Sequence, residues 1–344
     1  MRASLHHISD LVAYGFVKNA DAAALEEISS RYAVAITPHL VDLIEASNPD
    51  DPIARQFVPD LREAQTHPEE LSDPIGDHAH SPVEGIVHRY PDRVLLKLLH
   101  VCPVYCRFCF RREMVGPGAE QILSPDALDA ALGYIAAHPA IWEVILTGGD
   151  PLALSPRRLS DALQRLDQIP HVKIIRIHTR VPVVDPARIN AKLITALTST
   201  QKTLYVALHA NHPRELCAAA EQALRRFVDV GIPLVSQTVL LRGVNDDLGT
   251  LSTLMRRFVE LRVKPYYLHQ ADLAPGTSHF RVDLETARAL VMQLRAEVSG
   301  LCQPAFVLDI PGGYGKVPVG PDHVSAEGIA DHRGQVHPYP LLPR

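Results

Sequence analysis

The sequence contains no run of 18 uninterrupted apolar residues, about the length a helix needs to cross a bilayer, so no membrane span is expected. Its first segment, MRASLHHISDLVAYGF, is broken by His6, His7, Ser9 and Asp10 and lacks the apolar stretch of a secretory signal. Positive charge is not in excess either. With 34 Lys and Arg against 39 Asp and Glu the formal net charge is -5, and no basic surface for nucleic acid is expected. Cysteine is scarce, five in 344 residues, and does not follow the spaced, even-numbered pattern of a secreted disulfide scaffold. Together these absences point to a reducing cytoplasm.

What the chain does have is apolar content. At 47% hydrophobic it is too apolar for global disorder, and it is long enough for one large α/β barrel or two ordinary domains. Residues 1–90 differ from the rest: DAAALEEISSRY (21–32) and TPHLVDLIEAS (37–47) read as helices, the second with Pro38 in its first turn. PDLREAQ reads as a short third helix, and residues 67–82 as a turn-rich connector.

From Arg93 the pattern changes. Short apolar runs at 94–99, 143–148, 172–179, 203–210, 233–241 and 263–270 alternate with helix-like segments, and a seventh run, 304–310, follows the last of these. Strands separated by helices of this length specify parallel crossover units. Six units in succession favour a partial or complete (β/α) barrel with an N-terminal helical extension. Polar residues support this, since Cys102, Gly148 to Asp150, His178, Arg180, His209, Gln237, Gln270 and Asp272 stand at or just after the ends of runs. The C-terminal mouth of a barrel is where functional side chains gather. The expected organisation is an extension and connector over 1–90, a barrel core over 91–300, and a C-terminal segment and tail over 301–344.

Three of the five cysteines crowd into VCPVYCRFCFRR, residues 101–112, as Cys102, Cys106 and Cys109. Three thiolates can hold three irons of a [4Fe-4S] cube and leave the fourth iron open to a chelating amino acid. A closed zinc site takes a fourth ligand, and the isolated Cys217 and Cys302 form no second pair. The spacing favours the cluster, with zinc and plain buried thiols as alternatives. In DIPGGYGKVPV, Lys316 follows Gly312, Gly313 and Gly315. It is not a P-loop, because the spacing differs and no Ser or Thr follows the lysine. A phosphate-cradling turn, a mobile loop and an amine presented for a Schiff base all remain open.

The CxxxCxxC pattern, with an aromatic residue before its last cysteine, resembles the radical S-adenosylmethionine (radical SAM) superfamily. Seven motifs narrow the likeness: HRYPDRV (88–94), CPVYCRFCFRR (102–112), LTGGDPL (146–152), HTRVPVV (178–184), HANHPRE (209–215), ADLAPGTSHFR (271–281) and DIPGGYGKVPV (309–319). In this order they resemble the lysine 2,3-aminomutase family, and within it the short bacterial EpmB type. The likeness runs from about residue 35 to residue 320.

The resemblance implies that Cys102, Cys106 and Cys109 ligate the [4Fe-4S] cluster. Gly148, Gly149 and Asp150 match the stretch that meets the methionine amino group of S-adenosylmethionine, and His209 and Gln237 match residues near its ribose. Lys316 falls on the lysine that holds pyridoxal 5'-phosphate (PLP). Arg89 and Arg93 match its phosphate and ring-side contacts, a role suited to guanidinium forks. Arg111 matches the arginine that binds the substrate α-carboxylate, and Asp272 and Asp309 the acids that clamp the ε-ammonium of free L-lysine. Read alone, GGD is a helix-entry turn and Arg89 a surface ion-pair residue.

The implied reaction begins with one electron, from a donor such as flavodoxin or ferredoxin, which cleaves S-adenosylmethionine to a 5'-deoxyadenosyl radical. The radical abstracts hydrogen from C3 of lysine, the nitrogen migrates from C2 to C3, and hydrogen returns from 5'-deoxyadenosine to give (R)-β-lysine. In the EpmB branch this product is attached to elongation factor P by a lysine ligase. No cysteine follows Cys302, so the structural zinc of longer members is not expected. Two competing readings are a cluster-bearing scaffold or translation-factor interaction protein without catalysis, against which Lys316, Arg111, Asp272 and Asp309 argue, and an aminomutase acting on glutamate or another amino acid, which should lack the paired acids.

Overall fold

In the computed structural model, which describes residues 3–115, 122–325, 327–331 and 334–338, the apolar runs become one nine-stranded sheet. The strands are β1 (Ile86–Tyr90), β2 (Arg93–Leu99), β3 (Glu143–Gly148), β4 (Ile174–Thr179), β5 (Thr203–His209), β6 (Leu234–Val239), β7 (Val263–His269), β8 (Ala305–Ile310) and β9 (Gly315–Pro318). They lie side by side in sequence order. From β2 to β8 every pairing is parallel, whereas β1 on β2 and β9 on β8 are antiparallel. This is the partial (β/α) barrel of the radical SAM type. Among the described residues β1 and β9 share no ladder, but the Lys316 amide donates to the Tyr90 hydroxyl at 2.7 Å and bridges the seam.

The crossover helices form where local signals start them. Ser124 and Ser155 each precede a proline and accept from a backbone amide three residues on, while Asp247 and Asp283 cap two later helices in the same way. In the helix Pro156–Asp167, Leu159, Ala162, Leu163 and Leu166 fall on one face and are buried against the sheet.

The N-terminal helices join this core. Leu5, Ile36 and Phe57 belong to the same apolar cluster as Val94 and Phe306. Backbone bonds fix the contact, from the Tyr105 amide to Ala35 and from the Arg107 amide to Gln56. Three details differ from the sequence reading. A helix Ile8–Ala13 was not anticipated. The helix expected over 37–47 ends at Leu43, because Ile44 turns extended to stay buried and the Asp51 carboxylate captures the amides of Ile53 and Ala54 to start the next turn. Lys316 sits in a strand rather than a free loop: Gly312, Gly313 and Gly315 all have positive φ, near 90°, and make the tight reversal from β8 into β9.

Candidate active site

The chain leaving β2 carries the three cysteines across the barrel mouth, where all three line a cavity of 650 Å³. Arginines within and just after the triad anchor the segment. Arg107 donates to both oxygens of Glu63 (2.8 and 2.6 Å), and Arg112 also donates to Glu63. Arg111 donates through Nε and Nη2 to Asp77 Oδ2 at 3.0 and 2.9 Å. The N-terminal extension, through Glu63, and the connector, through Asp77, therefore supply the carboxylates that hold the cysteine segment.

Burial pushes all three thiols up, Cys109 to about 11, while Arg180 Nη1 donates to Cys106 Sγ at 3.1 Å and opposes the shift there. Thiols in this setting need a bound cation to ionise, which is what iron supplies. Among the described residues no three His, Cys, Asp or Glu side chains gather closely enough to hold one metal ion. Three thiols lining one cavity can each supply a ligand to a separate iron of a cube.

At the end of β3 the glycines are required by close approach. A Cβ on Gly148 would stand 2.4 Å from the Leu99 carbonyl oxygen, and one on Gly149 2.2 Å from that of Val101. The buried Asp150 carboxylate accepts from Thr179 Oγ1 and the Arg180 amide, both at 2.7 Å, and from the amides of Leu152 and Val181. It ties the ends of β3 and β4 together. His209 and Gln237 are register partners on β5 and β6. His209 Nε2 is buried without a partner, and burial lowers the ring to about 3, so it is a neutral group with hydrogen-bonding capacity to spare. Such an orphaned atom at the cavity wall fits a polar ligand.

Lys316 lies opposite Asp309 across the β8–β9 ladder, and its Nζ pairs with the Asp309 carboxylate and approaches His269 Nδ1 at 3.1 Å. Burial keeps His269 well below its usual range and therefore neutral. Asp272 is pushed up to about 7, by burial first and then by the neighbouring Asp309 charge. The two acids, 37 residues apart in sequence, line the same cavity. Arg89 donates to the Ile75 carbonyl and faces Asp77 at 3.4 Å, and Arg93 lies over the Tyr90 ring at 3.8 Å. Of the residues selected from the sequence, the three cysteines, Arg89, Arg93, Arg111, Gly149, Asp150, His178, Arg180, His209, Gln237, Asp272, Asp309 and Lys316 line the cavity, whereas Gly148 and Gln270 do not.

Sequence reasoning missed several groups. Arg180 was placed at the mouth but given no role; it bonds Cys106 and is itself held by Glu215 at 2.7 Å. Arg176, paired with Glu143 at 3.0 Å, lines the cavity beside Tyr266 and Tyr267, whose hydroxyls are 2.9 Å apart. Asp77 gave no signal at all, being one acid in a turn-rich stretch.

A cysteine triad at the mouth of an open parallel barrel defines a class, the radical SAM enzymes, and residues 96–253 match the Radical SAM superfamily. The chain is 41% identical to the L-lysine 2,3-aminomutase of Acetoanaerobium sticklandii, over 86% of this chain and 70% of that protein. It is 38% identical to the L-lysine 2,3-aminomutase of Escherichia coli, over 84% and 83%. A glutamate 2,3-aminomutase from Clostridioides difficile is 32% identical, over 88% and 71%. The chain belongs to the L-lysine 2,3-aminomutase family. That membership implies S-adenosylmethionine and an iron–sulfur cluster, and isomerase-type chemistry.

Proposed function

We propose that the protein converts (S)-α-lysine to (R)-β-lysine as a PLP-dependent radical SAM aminomutase of the EpmB type. The observation that carries this reading is that Asp272 and Asp309 line one cavity with the Lys316 amine, which pairs with Asp309, and with the three cysteines. Two acids at that end welcome a substrate ammonium, and the side-chain carboxylate of glutamate would face like charges there.

Cys102, Cys106 and Cys109 hold the [4Fe-4S] cluster, and Gly149, Asp150, His209 and Gln237 form the wall for S-adenosylmethionine. Lys316, Arg89 and Arg93 hold PLP. When bound, these groups supply a 5'-deoxyadenosyl radical for hydrogen abstraction and a carbonyl that carries the migrating nitrogen. The chain's own part is placement. Arg111 grips the α-carboxylate and the acids grip the ε-ammonium, so C3 is held at a fixed point between them. The Lys316–Asp309 pair keeps the carrier amine in place before loading. No helix among the described residues is long and apolar enough to cross a membrane. We further assign the product to modification of elongation factor P through its lysine ligase, a cytoplasmic setting, and reduction by a flavodoxin or ferredoxin; the motif resemblance supports these.

Borohydride reduction of the PLP-loaded protein, followed by peptide mapping, tests the cofactor assignment. The adduct is expected on Lys316, and an adduct on Lys264 or another lysine refutes it.

A further inference from the structure

We infer that Asp77 is a positioning residue that sets how Arg111 grips the substrate carboxylate, an inference that rests on the aminomutase reading above. Asp77 has a side chain only 1% exposed. It spends one oxygen on two donors of the same guanidinium, Nε and Nη2 of Arg111, and turns the other toward Arg89. Two bonds to one edge fix both the position and the plane of a guanidinium. The remaining nitrogen, Arg111 Nη1, has no protein partner among the described residues, in a side chain that lines the cavity. Asp77 thus takes one edge of the fork and leaves the other for a ligand. Although burial alone would raise its carboxyl, Arg111 and the neighbouring cations hold it below the ordinary range, so it is ionised at neutral pH.

The same stretch is docked on the turn that carries Lys316. The Gly312 amide reaches the Pro74 carbonyl at 3.4 Å, and His80 Nε2 lies 3.1 Å from the Gly313 carbonyl oxygen. A Cβ on Gly76 would stand 2.6 Å from the Gly313 backbone, so the two segments touch without a gap. An α-amino acid carries its carboxylate and its reacting nitrogen on one carbon, so the groups that receive them must stand at a fixed separation. Residues 73–80 index both receivers against each other: Asp77 holds the carboxylate receiver, and Gly76 and His80 brace the amine carrier's turn.

The test uses the full chain loaded with PLP and reads equilibrium binding from the absorbance of the bound cofactor. The ligands are lysine and cadaverine, which is lysine without its α-carboxylate. The parent is expected to prefer lysine. Asp77→Asn should cut that preference by about tenfold or more, as small misplacements of a gripping group do, while cadaverine affinity stays within about twofold. Asp77→Glu should restore part of the preference. If Asp77→Asn does not fold, Asp77→Ser, which leaves room for water around the arginines, takes its place under the same criteria. Equal losses for both ligands, an unchanged preference or an increased one would each overturn the positioning role. A parent that does not prefer lysine would instead overturn the Arg111 grip itself, and this inference with it.

Discussion

Replacing Glu63 with Gln probes how the cysteine segment is held. The carboxylate and its two arginines, Arg107 and Arg112, have fully buried side chains, and Arg112 also lies 3.5 Å from the Tyr32 ring centroid. Gln keeps the volume but removes the one negative charge facing two guanidiniums. Breaking a buried pair by removing one partner typically costs about 3–5 kcal/mol, because the surviving charge is left uncompensated. With two survivors here the upper part of that range is expected. That is a large fraction of the roughly 5–15 kcal/mol by which a folded domain outweighs its unfolded state. The acid response carries a second signature. Burial favours the protonated form of Glu63, but Arg107 and Arg112 outweigh it and hold the carboxyl below its ordinary value. Its stabilisation is therefore present above the ordinary carboxylate range and lost as pH falls through the lowered value. Guanidinium chloride unfolding at a series of pH values reads both effects. Glu63→Gln should be several kcal/mol less stable near neutrality and should lack the acid-side slope, and alkylation of Cys102, Cys106 and Cys109 should be faster. Stability within about 1 kcal/mol of the parent, with the slope retained, would refute the reasoning, since no buried pair would then have been broken.

Other outcomes follow from the same geometry. Asp272→Asn or Asp309→Asn should weaken lysine binding about 30-fold to several thousandfold, with norleucine, which lacks the ammonium, losing much less; calorimetric titration separates the two ligands. Because Asp272 is raised to about 7, lysine affinity should fall as pH drops below that value, and Asp272→Asn should flatten the profile. Without ligand the sign reverses: the fold favours protonated Asp272, so its contribution to stability declines as pH rises from the ordinary carboxylate range toward 7, as pH-dependent unfolding would reveal. Gly149→Ala places a methyl against the Val101 backbone and should cost at least about 2 kcal/mol in chemical unfolding.

The fold was legible where burial leaves a local mark. Parallel strands covered on both faces read as apolar runs, and EVILTG of β3 is an example. The helix Ile8–Ala13 was not legible, since six residues are too few to show a period. Strand β9 was hidden by the glycines that turn into it, whose density reads as a loop. Within the site, the cysteines were legible because their spacing is local. Asp77 and Glu63 were not: they meet Arg111 across 34 residues and Arg107 across 44, and only the fold sets those distances. The paired acids were legible only through the family motifs, and the contact of Asp309 with Lys316 was not, because it depends on the register of β8 and β9.

The proposed activity is the rearrangement of lysine in this cavity. It is tested most directly by reconstituting the protein anaerobically with iron, sulfide and PLP, then supplying S-adenosylmethionine, dithionite and lysine deuterated at C3. The expected result is (R)-β-lysine with deuterium in 5'-deoxyadenosine, and no product from glutamate. Turnover of glutamate, or 5'-deoxyadenosine formed without deuterium and without β-lysine, would contradict it.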